Sequence, residues 1–181
     1  MSEAIKNVVV VGGGTAGWLS ANILAAKLTG KINLTLIESP DIATIGVGEG
    51  TVPTMRQTLK LIGISETDFI KKCNATFKQA IKFVDWMKPK QNETQHSYYH
   101  LFQYPLTQKF DPTSSWLSEK TEVEYTDIVS LQGAACDLGL APKKITTKEF
   151  DGAFDYAYHL DAAKFAKLLA ENGVNRFGIN H

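Results

Sequence analysis

Cysteine is scarce: Cys73 and Cys136 lie far apart and form no CxxC pair, the usage of a reduced compartment with two inert thiols rather than of a disulfide-built chain. Charge of one sign is missing too. Nineteen Lys and Arg offset nineteen Asp and Glu, leaving no basic stripe for nucleic acid and no polybasic cluster for an anionic membrane surface. No apolar run approaches a membrane span, and Met1–Lys6 lacks the pattern of a secretory signal. No internal repeat appears, and no His pair stands at metal spacing with a third ligand. These absences point to a cytoplasmic globular protein without metal, nucleic acid or membrane as partner. With 181 residues, 44% of them hydrophobic, the chain has material for one domain with a sizeable core, or for one domain plus a small appendage.

Small residues, by contrast, crowd into one place. "VVVVGGGTAGWLSANILAAKL" (residues 8–28) runs from valines through a glycine cluster into an Ala- and Leu-rich segment. Ile5–Val11 reads as a central parallel strand covered on both faces, and Thr15 to Leu28 as a helix. Gly12, Gly14 and Gly17 between them are spaced G-x-G-x-x-G. The first permits a tight turn, the second lets a pyrophosphate reach the main chain, and the third lets the helix lie close to the strand. The N–H groups and dipole of the helix start would then face the phosphates. Gly30 and Lys31 break the helix, and "INLTLIE" (Ile32–Glu38) alternates as a second strand ending in an acid. Glu38 stands where a carboxylate can accept hydrogen bonds from a ribose diol, and its charge disfavours a 2′-phosphate. The pattern predicts a dinucleotide site and leaves FAD and NAD both open.

A second glycine-rich stretch, "SPDIATIGVGEGTVP" (Ser39–Pro53), carries Gly46, Gly48 and Gly50. It suggests backbone passing close to something flat, such as an isoalloxazine ring. Thr51 and Pro53 suit the start of a helix.

"GGGTAGW" (Gly12–Trp18), "GVGEGTVP" (Gly46–Pro53) and "FKQAIKFVDW" (Phe77–Trp86) together resemble the N-terminal third of the flavin-dependent halogenases of the tryptophan halogenase type. The likeness continues more loosely through "YHLF" (Tyr99–Phe102) and "FDYAYHLDAAKFAKLLAENGV" (Phe154–Val174). It implies an α/β, Rossmann-like (doubly wound) FAD-binding fold with an inserted hairpin and loop region, incomplete at its C-terminus. Residues 1–86 would form the FAD-binding βαβ core with the GVGE loop and the lysine strand. Residues 87–150 would form an aromatic and polar substrate-side insertion, and 151–181 the return helix.

The resemblance also implies a chemistry. Reduced FAD, delivered by a separate flavin reductase, reacts with oxygen and with chloride or bromide to give hypohalous acid. A lysine then directs that acid onto an aromatic, indole- or tryptophan-like substrate. The matching lysine is Lys78, and Phe77, Ala80, Ile81 and Phe83 give it apolar surroundings; Lys82 reads as a surface residue. Cofactor contacts are implied at Gly12, Gly13, Gly14, Thr15, Ala16, Gly17, Glu38, Ser39, Ile42, Ile45, Val47 and Gly50. Glu49 reads as a hydrogen-bonder in its turn. His100 and Phe102 are the candidate substrate contacts, where an aromatic substrate can stack.

The remaining segments read as scaffold. Ser65 caps a helix with Asp68 at its third position, and Ile64 and Phe69 form a staple pair. From Met87 to Ser130 the chain turns polar and aromatic, as a hairpin with loops. Asp161–Ala170 is an amphipathic helix burying Ala162, Phe165, Leu168 and Leu169, which Gly173 ends; His159, just before it, reads as a structural hydrogen-bonder. "NRFGINH" does not read as a strand. Family members are longer, and the W-x-W-x-I-P motif and a further catalytic glutamate are absent from these residues, so the 181 residues alone are not expected to halogenate. Two other readings stay open: a single-component flavin monooxygenase of the hydroxylase type, and a non-catalytic dinucleotide-binding module.

Overall fold

The computed structural model describes residues 4–42, 47–87, 95–105, 111–119 and 123–181. In chain order its elements are β1 (Asn7–Val11), α1 (Thr15–Lys27), β2 (Asn33–Ile37), β3 (Gly48–Gly50), α2 (Thr54–Ile62), α3 (Glu66–Lys72), β4 (Thr76–Lys78), β5 (Ala80–Val84), β6 (Ser97–Leu101), α4 (Thr113–Ser118), α5 (Tyr125–Val129), α6 (Gln132–Asp137), β7 (Ala157–Asp161) and α7 (Ala162–Phe177). They gather into two compact units, Met1–Thr76 with Tyr158–His181, and Phe77–Ala157.

In the first unit β1 and β2 pair in parallel from Asn7↔Asn33 to Val11↔Ile37, with α1 as the crossover that such a pair requires. Leu34 and Leu36 of β2 are buried with Trp18 and Ala21 of α1 and with Phe165 and Leu169 of α7. Asn22 is a wholly buried polar side chain here. Its amide donates to the carbonyls of Trp18 (2.8 Å) and Leu169 (2.9 Å) and accepts from Asn172 (2.8 Å), so its polar atoms are satisfied and tie α1 to α7. The opposite sheet face does not match the expectation of burial on both sides. Val9 is 57% and Val11 82% exposed, because the alternating side chains of β1 find helices on one face only among the described residues.

Two further local expectations are corrected. Helix α7 does not stop at Gly173 but runs to Phe177, where Gly178, left-handed at φ 65°, caps it. Gly173 is there for space, since a Cβ would press on Ile179, the Trp18 ring and Asn22. The tail after it is not a strand, as expected, but makes one isolated bridge to β2: Asn180 N–H donates to the Leu34 carbonyl (3.0 Å) and Leu36 N–H to the Asn180 carbonyl (2.8 Å), parallel and opposite Thr35. Thr51 caps no helix. Its hydroxyl accepts from Tyr158 N–H (3.0 Å), and its N–H donates to the Tyr158 carbonyl (2.8 Å). The cap at Ser65 does form, accepting from Asp68 N–H (3.0 Å), and Ile64 and Phe69 are both buried.

In the second unit β5 and β6 form an antiparallel hairpin from Ala80↔Leu101 to Val84↔Ser97. A hairpin with loops is expected over Met87–Ser130; the hairpin instead begins at Ala80, and the short helices α4 and α5 stand where loops are expected, followed by α6. They escape a periodicity argument because each has only five or six residues, too short to repeat an apolar stripe. Polar side chains do much of the joining. Buried Gln132 accepts through Oε1 from Phe102 N–H (3.0 Å) and Gln103 N–H (2.8 Å) and donates through Nε2 to the Asp155 carbonyl (2.7 Å). Gln103 in turn accepts from Asp155 N–H (3.0 Å).

Candidate functional site

The glycine cluster joins β1 to α1. Gly12 has φ 113°, a conformation that side chains resist, and its N–H donates to the Ile37 carbonyl (2.8 Å). A Cβ on Gly17 would run into the Gly12 carbonyl, whereas one on Gly14 would meet nothing within 4 Å. One glycine therefore lets helix and turn close together, and the other leaves open space in front of the main chain. Gly14 is the N-cap residue of α1, and no side chain caps that end. A thirteen-residue helix thus presents the N–H groups of Thr15, Ala16 and Gly17 at its start, the arrangement that suits phosphate. Glu38 follows β2, and a Cβ on Gly13 would fall inside its carboxyl group, so the acid lies directly on the turn. These residues fit a dinucleotide: open main chain and helix N–H groups for the diphosphate, a carboxylate alongside for the ribose.

Ser39 Oγ accepts from Asp41 N–H (3.2 Å), shaping the chain after Glu38. Ile42 and Val47 are exposed apolar side chains, 77% and 53%, while Ile45, and Gly46 with it, lies outside the described residues. The end of this glycine-rich stretch is a short strand rather than a loop: Gly48, Glu49 and Gly50 pair antiparallel with Asp161, Leu160 and His159. Gly48 still has open space where a Cβ would stand. His159 is an exposed strand residue in that pairing.

The second unit brings together three expected residues. Lys78 closes β4, and its Nζ lies 5.4 Å from the centre of the Phe102 ring, within cation–π range. The His100 and Phe102 rings stand edge to face, 6.5 Å apart. The backbone that carries Phe102 is held by Gln132, which the sequence did not single out. Its only signal would have been a Gln amid small residues in "QGAAC".

Lys82, expected at the surface, is there, 3.1 Å from Asp137 Oδ1. Tyr99 donates to the same oxygen at 2.6 Å. The Tyr99 hydrogen bond and then the Lys82 ammonium hold the Asp137 carboxyl below the usual carboxylate range, and Asp137 holds Lys82 above its ordinary value. Burial pushes the Cys73 thiol up to about 12 and raises that of Cys136 as well. Among the described residues no group of His, Cys, Asp or Glu is arranged to hold a metal ion, and no helix is long and apolar enough to cross a membrane.

A parallel βαβ start with a glycine turn and an acid after its second strand defines an α/β protein of the Rossmann-like kind. Comparison with known proteins narrows the class. Residues 7–181 match the family model described as tryptophan halogenase, and the chain belongs to that family. It is 32% identical to tryptophan 6-halogenase SttH of Streptomyces toxytricini over 96% of this chain and 36% of that protein. Among solved structures, a tryptophan halogenase from Shewanella frigidimarina NCIMB 400 superposes with TM-score 0.92 at 45% identity, over 99% of this chain and 36% of that one. Xcc4156, a flavin-dependent halogenase from Xanthomonas campestris, gives 0.80 at 31% identity, over 98% and 35%. The chain spans about 36% of the length of the curated relatives it matches.

Proposed function

We propose that the intact protein is a flavin-dependent halogenase acting on an indole- or tryptophan-like substrate, and that these residues hold its FAD and its directing lysine. The observation that carries the reading is the meeting of Lys78 with Phe102 and His100 in a chain that also has the glycine turn and Glu38. When bound, reduced FAD would activate oxygen, and oxygen would supply the two-electron oxidising power that converts chloride or bromide to hypohalous acid. The protein does the rest by placement and exclusion of water.

The N–H groups at the start of α1 bind the diphosphate and Glu38 accepts from the ribose hydroxyls. Ser39 shapes the turn after Glu38, while Ile42, Ile45, Val47 and Gly50 flank the cofactor. Lys78 donates a hydrogen bond from Nζ to the oxygen of hypohalous acid. That bond draws electron density from the halogen and makes it a better electrophile for an electron-rich ring. Phe102 and His100 hold that ring by stacking. A separate flavin reductase supplies reduced FAD, and the protein works in the cytoplasm.

Mass spectrometry of tryptophan and simpler indoles incubated with the intact protein, FAD, a flavin reductase and chloride or bromide tests this. A product heavier by one halogen for hydrogen is expected. Hydroxylated product, with direct anaerobic bleaching of the bound flavin by NADH or NADPH, would replace the proposal with a single-component monooxygenase.

A further inference from the structure

The Trp that follows the glycine cluster and the histidine beyond α7 have no part in the reading so far, yet they meet beside the ribose acid. Gly178 turns the chain out of α7, and Asn180 docks against β2 between Leu34 and Leu36. The next residue, His181, is thereby set beside the sheet. Its Nε2 lies 2.8 Å from Glu38 Oε1, and its ring stands edge-on to Trp18, with centres 5.1 Å apart at 78°. Trp18 is itself buried, 1% exposed, in space that Gly173 leaves for it. The carboxyl so held is the one lying on Gly13.

We propose that His181 is a positioning residue for the nucleotide: braced on Trp18, it donates from Nε2 to Glu38 and fixes that carboxylate over the glycine turn, oriented for an adenosine ribose. A glutamate has three side-chain torsions, and one beside open solvent spends much of its time turned away. Tethering one oxygen to an imidazole whose own ring is fixed leaves the other oxygen aimed at the turn, so less ordering remains to be done when FAD arrives. The role of Trp18 is to stop the imidazole from swinging, which gives the residue after the last glycine a reason to be large and flat. This inference rests on the FAD reading above.

The test is calorimetric titration of the intact protein with oxidised FAD, with no turnover involved. His181→Phe keeps the ring edge against Trp18 and removes the donor, and is expected to weaken FAD about fivefold, the scale of a partly exposed charge-assisted contact. His181→Gln, which restores a donor, recovers most of that loss. In a Glu38→Ala background His181→Phe has no further effect, because histidine acts only through the acid. Unchanged affinity in His181→Phe, an equal loss in His181→Gln, or the same fivefold loss without Glu38 would each overturn the assignment while leaving the cofactor reading intact. Wild-type protein that binds no FAD would overturn the cofactor reading and this inference with it.

Discussion

The two units are held together by different means. In the first, large apolar side chains of α1, β2, α3 and α7 are buried (Trp18, Leu36, Phe69, Phe165 and Leu169 are among the most buried), and Asn22 adds a polar tie between two helices. In the second, short helices and a hairpin are joined through amide side chains reaching backbone, with Gln132 at the centre. The first unit carries the residues proposed for FAD and the second those proposed for substrate and halogen. Regular packing suits a ligand of fixed shape. Joints made from side chains can be rebuilt residue by residue, which suits the part that meets the substrate.

The sharpest challenge to the first unit is Gly17→Ala. Its Cβ meets the Gly12 carbonyl, so the turn must open, and FAD affinity by titration should fall about a hundredfold, the scale of overpacking by some 3 kcal/mol. Gln132→Leu is the matching challenge to the second unit. Gln103 N–H and the Asp155 carbonyl each lose a hydrogen bond, while Phe102 N–H keeps one to the Gln79 carbonyl (3.2 Å), and stability in urea should drop by about 2 kcal/mol. Thiol labelling reads the units separately: Cys136 should react faster in Gln132→Leu while Cys73 keeps its wild-type rate. Equal acceleration of both would show that the units share one fate.

Smaller effects follow. Ser65→Ala removes the cap of α3 and should cost about 1 kcal/mol, seen as a shift in the urea midpoint. Lys82→Met should cost under about 1 kcal/mol, since both partners of its ion pair are half exposed. The pH dependence has a definite sign. Asp137 is held below the usual carboxylate range, so its contribution is complete above about pH 4 and is lost as acid protonates the folded carboxyl. Urea midpoints of wild type and Asp137→Asn should therefore converge on going from neutral to strongly acid solution.

Legibility in the sequence followed distance along the chain rather than the division into units. The strand, glycine turn, helix, second strand and acid of residues 7–38 were readable because each obeys a periodic or conformational rule. So was the Ser65 cap, which needs only a few adjacent residues. Gly173 misled because a glycine near a helix end has two uses, a cap and a gap for a neighbour, and only the Trp18 ring distinguishes them. Strand β3 hid for a related reason: its partner, β7, lies more than a hundred residues away. Gln132 and His181 act through partners distant in the chain, so no local pattern marks them. The placement of Lys78, Phe102 and His100 rested on family resemblance rather than on spacing.

The most direct test asks whether cofactor binding and halogen transfer separate between the units. Lys78→Met in the intact protein, supplied with FAD, flavin reductase, bromide and tryptophan, should bind FAD within about twofold of wild type and give no brominated product by mass spectrometry. Bromination at the wild-type rate by Lys78→Met would contradict the division of labour proposed here.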